Sequence, residues 1–406
     1  MRWWTVIMLP LFACTSGAPE DTDGFQRDGG ARPIVDAGSA ANDAGTPDAG
    51  HVDAGTTTRD GGTTTRDGGT VAPFTGCPGA GASFDVFNAF WTAFDTNYAV
   101  FDFRLPNGDW NTIGRDGCAS IDANTGEDAL FDVLIGMAQN LDDGHVQLGA
   151  PGGREEDAWV SAYPYYDEAQ ELEFNAESNY IEEDELTWAA EDWFAWGTIG
   201  DVGYISITSF DELSNTGDED DDREAAVDAI EEALDDLSDM RAMIVDVRAN
   251  EGGWDTVALD VAQHFAGPRT LAWSKQRRNG PGHLDFGPPE DWYVEASDGD
   301  AFAGPVVVLT SRGTFSAAET FTLAMRVRAN VEVVGERGSG HFSDLVDQTM
   351  PAGWSLELSG ERYRAADGEI YETAGVPVDL AVSFDRAALV NGTDTMLEAA
   401  LMRLAP

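Results

Sequence analysis

Apolar positions recur on one helical face in two stretches near the start of the folded part of the chain. Phe84, Phe87, Phe90, Trp91 and Phe94 form the first, and Leu130, Val133, Leu134, Met137 and Leu141 the second. Helical spacing gathers each set into a stripe, so both stretches are predicted to be amphipathic helices whose stripes pack into a core. They predict a small helical subdomain over residues 77–150, ending in Asp142-Asp-Gly-His145. Residues 151–200 are rich in Trp, Tyr and Glu without regular period, and read as a connector or lid.

After Gly200 the rhythm changes. Val202-Gly-Tyr-Ile-Ser-Ile207 reads as a strand, residues 224–237 as an amphipathic helix, and Ala242-Met-Ile-Val-Asp-Val247 as a strand buried on both faces. A helix over 255–265, a strand over 305–309, a helix over 316–328 and a strand over 331–334 follow. Alternating strands and helices predict an α/β core domain, residues 201–406, with a parallel sheet. Residues 268–300, rich in Gly, Pro and Trp, are predicted to be a long functional loop, with His283 reading as a solvated loop residue.

The N-terminal pattern is different. Met1 to Ala13 combine one positive charge with a short apolar run, which suits an export signal better than a membrane span. Leu11-Phe-Ala-Cys14 resembles a bacterial lipobox, with Cys14 as the lipidation site. Residues 14–76 repeat Asp-Ala-Gly and Thr-Thr-Thr-Arg-Asp-Gly-Gly and hold few large apolar residues. Such a segment cannot offset its ordering entropy and is predicted to be a disordered tether, with His51 inert within it. Cys77 and Cys118 then remain as an even pair, a candidate disulfide in an oxidising compartment, with two buried thiols as the alternative. The expected location is the cell envelope, lipid-anchored at the outer or inner membrane, or secreted if the lipobox is not used.

The formal charge of −51 argues against nucleic acid and against anionic membrane surfaces as partners, leaving the lipid anchor as the membrane contact. The densest acidic run, Gly217-Asp-Glu-Asp-Asp-Asp-Arg223, precedes a helical pattern and complements its N-terminus.

Candidate chemistry centres on Thr314-Phe-Ser-Ala-Ala-Glu319, where a strand and turn lead into a helix. A serine there faces unpaired helix N–H groups that can stabilise an oxyanion, although Ser316-Ala-Ala-Glu319 also reads as a capping box. Gly252-Gly253 ends the strand motif Asp246-Val-Arg-Ala-Asn-Glu-Gly-Gly and allows backbone N–H groups to approach a ligand. His145 has the titration range of a general base, and Glu372 lies beside a turn in Tyr371-Glu-Thr-Ala-Gly-Val-Pro377.

Taken together and in this order, these motifs resemble the tail-specific, or C-terminal processing, serine proteases, including the branch of the tricorn core protease and the interphotoreceptor retinoid-binding protein modules. The resemblance covers residues 84–400 and implies a crotonase-like ββα spiral core. It implies Ser316 as nucleophile, His145 as base, Glu372 as its indirect support, and an oxyanion hole built from Gly252, Gly253 and the Ala317 N–H. The tricorn-like branch has a serine before its histidine where Gly144 stands here. The processing branch uses a lysine in Gly-Glu-Lys-x-x-Gly-Lys, whereas Gly335-Glu-Arg-Gly-Ser-Gly-His341 stands here, with His341 in the lysine's place. His341 is therefore an alternative base or a substrate contact. No stretch long enough for a PDZ module is visible, which also favours the tricorn-like branch. The expectation is an exported serine peptidase acting on a peptide or protein, with no cofactor or metal. An esterase, or a non-catalytic module of the same fold for lipids or small apolar ligands, is the alternative.

Overall fold

In the computed structural model, which describes residues 73–406 apart from 162–168, 171–173, 175–177, 182–184 and 298–300, both aromatic stretches are helical. The export segment, Cys14 and His51 lie outside the described residues. Helix α1 (Ala82–Asn97) buries Phe87, Phe90, Trp91 and Phe94. Helices α2 (Phe101–Arg104) and α3 (Trp110–Cys118) follow, and α4 (Glu127–Ala138) buries Leu130, Leu134 and Met137. Asp109 caps α3 by accepting from the Asn111 N–H. Trp110 packs on Phe94 with ring centroids 4.9 Å apart. Cys77 and Cys118 are joined as a disulfide, with Cα atoms 5.4 Å apart. The helical core is completed from the other end of the chain, because Trp354, Leu356 and Leu358 belong to the same buried cluster.

The central sheet is built from β3 (Thr187–Ala189), β4 (Phe194–Ile199), β5 (Val202–Ile207), β6 (Ala242–Asp246), β9 (Val306–Thr310), β10 (Val331–Gly335) and β14 (Leu380–Ala381). Their order is β14-β10-β9-β6-β5-β4-β3. Strands β5, β6, β9, β10 and β14 run parallel, whereas β4 and β3 close the sheet as antiparallel neighbours. Every residue of β6 and β9 is buried, as a sheet covered on both faces requires. One face packs α5 (Glu219–Asp236), α6 (Asp255–Ala262) and α7 (Ala317–Arg326) through Ile230, Val257 and Phe321. Leu397 and Ala400 of α9 (Thr395–Arg403), which follows the short α8 (Arg386–Val390), cluster with Ile244, Val307 and Leu309 of the sheet.

Helix α5 begins at Glu219, capped by Asp218, so the acidic run forms its first turn rather than preceding it. Asp222 is fully buried there and accepts from the Glu212 and Ser214 N–H groups and from Trp254 Nε1.

The long loop expected over 268–300 contains two β-strands. Strands β7 (Thr270–Arg277) and β8 (Glu290–Val294) pair with each other, and β13 (Glu361–Ala365) pairs with β7. The glycines and prolines are concentrated at 280–289, in the connection between β7 and β8, where turn residues belong. His283 is not simply solvated: its Nε2 lies 2.9 Å from Asp95 Oδ1 and its ring stacks on Phe101. A third sheet has the order β11-β12-β1-β2, with β1 (Gln147–Gly149), β2 (Glu155–Asp157), β11 (Leu345–Gln348) and β12 (Ser355–Ser359). Strand β1 starts two residues after His145 and pairs antiparallel with β12, which fixes the histidine's loop against the C-terminal half. No helix among the described residues is long and apolar enough to cross a membrane.

Candidate active site

Strand β9 delivers the chain to a turn that ends at Ser316. Three bonds hold this turn to the end of β6: Ser311 Oγ donates to Arg248 O, Thr314 Oγ1 to Val247 O and the Phe315 N–H to Asn250 O. Ser316 itself has φ 54° and ψ −120°, a conformation that costs a non-glycine residue about 1–3 kcal/mol. Its hydroxyl makes no capping bond. The capping-box reading therefore fails, and the reason is that Glu319 points elsewhere, accepting from the Gly340 and Val376 N–H groups. A strained serine whose hydroxyl makes no capping bond sits at the N-terminus of α7.

Gly252 lies against this turn. A Cβ on Gly252 would fall 2.7 Å from Ser316 Cβ and 2.9 Å from the Ala317 nitrogen, so only glycine fits. The Gly252 N–H is occupied, donating to Asn250 Oδ1 at 2.8 Å, which makes the residue's place in the site steric rather than that of an oxyanion donor. Gly253 has φ 125° and is pressed against the Phe210 backbone. The Ala317 N–H opens the first turn of α7, in which the next two donors are taken, Ala318 by Phe315 O and Glu319 by Ser316 O.

His145 and His341 converge on Phe315, the residue before the serine. Their ring centroids lie 4.6 and 4.8 Å from the Phe315 ring and 6.0 Å from each other. Trp159 covers the group, 5.4 Å from Phe315 and 4.8 Å from His341. Both histidines are buried, and neither ring makes a hydrogen bond of normal geometry among the described residues. Burial pulls the His145 pKa down to about 4, with Asp143 opposing and Arg104 assisting. Burial also lowers His341 well below the ordinary histidine range, assisted by Arg104 and opposed by Asp143 and the Ser339 backbone. Both are neutral imidazoles near pH 7, and a base must be neutral to accept a proton.

Asp143, which the sequence reading did not single out, shapes the loop before His145. Its Oδ1 accepts the His145 N–H at 3.0 Å and stands 4.0 Å from His145 Nδ1. Its Oδ2 accepts from the Tyr98 and Ser359 hydroxyls at 2.8 and 2.7 Å. Burial opposes its ionisation, but Arg104 and the histidines hold its carboxyl well below the usual range.

Glu372 makes no bond to either histidine. It accepts from Arg104 Nε at 2.5 Å and from the Phe342 N–H at 3.2 Å. Burial raises its pKa to about 7, against the pull of Arg104. Arg104 also reaches the carbonyls of Asp142 and Gly340 and lies 3.5 Å from Asp143 Oδ2. In the sequence Arg104 is a lone arginine after an aromatic run, and no local signal marks it.

A cavity of about 490 Å³ opens beside Trp159, Ser339 and Thr373 and is flanked by Arg312 and Arg337. A smaller one of about 180 Å³ reaches Arg104 and His341 and shares Ser339 and Thr373 with the first. Sharing these residues, the two form one trough, lined at its smaller end by Arg104 and His341.

Residues 201–382 match the family model of peptidase family S41. The carboxy-terminal processing protease CtpA of Bacillus subtilis (strain 168) is 27% identical over 175 residues, covering 43% of this chain and 34% of that protein. The chloroplastic carboxyl-terminal-processing peptidase 3 of Arabidopsis thaliana is 25% identical over 188 residues, covering 45% and 32%. The chain thus spans about a third of the length of these curated relatives. Among solved structures, a candidate peptidase from Parabacteroides merdae superposes with a TM-score of 0.69 at 27% identity, covering 80% of this chain and 98% of that one. Mature CPAF in complex with lactacystin shares the fold alone, with a TM-score of 0.58 at 11% identity.

Proposed function

From a chain that carries a peptidase family S41 domain, we propose a serine-type peptidase in which Ser316 attacks a peptide carbonyl and His145 takes its proton. The same imidazole then protonates the leaving amine, and the N–H groups of Gly253 and Ala317 hold the oxyanion. The observation that carries this reading is the convergence of two buried, neutral histidines on Phe315, next to a serine strained at a helix N-terminus. Histidine rather than lysine is favoured as base because Lys275 is committed elsewhere. Its ammonium lies 2.9 Å from both Asp255 and Asp344, and these carboxylates outweigh burial and push its pKa up to about 12. His145 is preferred to His341 because Asp143 stands near its ring, ready to stabilise the imidazolium.

The substrate class follows from the family: peptides or proteins, entering along the trough at Trp159 and Thr373. Export through the N-terminal signal, lipidation at Cys14 and a tether to residue 76 belong to the same proposal. They rest on the sequence pattern and would place the peptidase at the cell envelope.

The test is labelling of the purified full-length chain with a fluorophosphonate probe, beside Ser316→Ala and His145→Ala. Labelling that requires both residues is the expected result. Folded wild-type protein that never labels would overturn the proposal and favour a binding module. Loss on His341→Ala with His145→Ala still reactive would exchange the two histidines. Turnover of esters but not peptides by the labelled enzyme would make it an esterase.

A further inference from the structure

We propose that Arg104 is a positioning residue of this site, clamping the His145 loop, the His341 loop and Glu372 into one unit and coupling Glu372 to His145 through Asp143. The inference rests on the serine-peptidase reading above and adds a residue to it.

The geometry is that of a filled guanidinium. Arg104 ends α2, and its side chain is 3% exposed. Nε donates to Glu372 Oε1 at 2.5 Å, Nη2 to Gly340 O at 2.9 Å and Nη1 to Asp142 O. Asp142 and Gly340 are respectively three residues and one residue from the two histidines. One planar fork therefore sets the separation of both imidazole-bearing loops, which a lysine's single ammonium cannot do. Glu372 has no contact of its own with His145. It is linked to the ring through Arg104 and Asp143, with the Asp143 carboxylate 3.5 Å from the guanidinium and 4.0 Å from His145 Nδ1.

The same chain has an electrostatic consequence. His145 is faced by Asp143, Arg104 and Asp344; His341 by Arg104, Asp143 and His145; and the Asp143–Glu372 pair by Arg104 and Tyr98. Arg104 disfavours the protonated form of both histidines. Removing its charge makes the His145 imidazolium easier to form, so the neutral base is lost at a higher pH. A merely structural arginine would lower the folded fraction without slowing the labelling of the protein that stays folded.

The experiment measures the rate of fluorophosphonate labelling against pH in the full-length chain, corrected for folded protein by near-UV circular dichroism. The variants are Arg104→Met, Arg104→Lys, Glu372→Gln and the pairwise combinations with Glu372→Gln. Arg104→Met is expected to slow labelling roughly 10- to 100-fold and to move its acid limb upward. Arg104→Lys keeps the charge and loses the fork, so labelling slows while the limb stays. Glu372→Gln is expected to slow wild type but to add little in either Arg104 background, because both replacements already remove the Nε–Glu372 bond that ties Glu372 to the clamp.

Folded Arg104→Met that labels at the wild-type rate, or that slows with an unmoved limb, would overturn the inference. If Arg104→Met does not fold, the Arg104→Lys and Glu372→Gln pair decides: additive effects overturn the clamp, and non-additive effects support it. Wild type that does not label at all would instead remove the peptidase reading, so the two failures are distinguishable.

Discussion

Glu319 Oε1 accepts the Gly340 N–H at 2.5 Å, tying the first turn of the serine's helix to the residue beside His341. Its other oxygen accepts the Val376 N–H at 3.0 Å, in the segment that follows Glu372. The helix that begins at Ser316, the His341 loop and the loop of Glu372 are thus joined by one fully buried carboxyl group.

The burial of this carboxyl makes stability depend on pH with a defined sign. Burial outweighs the two N–H bonds and raises the Glu319 pKa from 4.5 to about 8. Between those values the unfolded chain has lost the proton and the folded chain keeps it, so this group lowers stability as pH rises through the window, and its effect is constant above it. Glu319→Gln should be less stable than wild type at pH 5 by about 1–3 kcal/mol, because one amide N–H now faces a backbone N–H. The gap should narrow by pH 8. Urea unfolding at the two pH values measures both, and a gap that stays constant would refute the assignment.

The low pKa of His145 predicts activity into acid. With neutral imidazole persisting down to about pH 4, the acid limb of fluorophosphonate labelling should lie well below the ordinary histidine value of 6.5. A limb at pH 6.5 would mean that the base is a solvated histidine, contrary to its burial here.

Gly252→Ala should damage chemistry more than folding. Its Cβ would press on Ser316 Cβ and the Ala317 nitrogen, displacing a proposed oxyanion donor. Labelling should fall on the order of 10²–10³-fold, the usual effect of losing such a donor. Thermal unfolding should register the strain of φ 111°, about 1–3 kcal/mol, together with the cost of this overpacking, about 1–3 kcal/mol. Full reactivity in this variant would remove the Gly252 turn from the site.

The Cys77–Cys118 bridge closes a separation of 41 residues around α1 and α3. Replacing both cysteines with serine should lower stability by about 2–4 kcal/mol. Dithiothreitol should shift the wild-type melting temperature by a similar extent and leave the variant's unchanged. Equal sensitivity of both proteins to the reductant would contradict the bridge.

Much of the site was readable along the chain because its pieces are local. Buried strands β6 and β9 announce themselves as unbroken apolar runs, and each empties into a short motif, Asn250-Glu-Gly-Gly or Thr314-Phe-Ser-Ala. The aromatic helices were legible for the same reason, since a 3.6-residue period is a local property. Strands β7 and β8 were not. Trp, Gly and Pro suggested a loop, yet Trp273 is fully buried because Tyr363 of β13, some ninety residues on by sequence, packs against it at 6.4 Å.

Sequence alone determined the candidate chemistry: a serine before a helix, a glycine pair after a buried strand, two histidines and a glutamate, behind an acidic low-complexity leader. Tertiary structure decided how those groups are wired. Glu319 reads as a cap and instead pins two distant loops; Glu372 reads as a histidine partner and instead meets Arg104. The physical reason is that a buried charge is defined by its partner, and Arg104 and Glu372 stand 268 positions apart. Periodicity records which face of an element is dry. Only the packed fold brings together the charges that must share that dry interior.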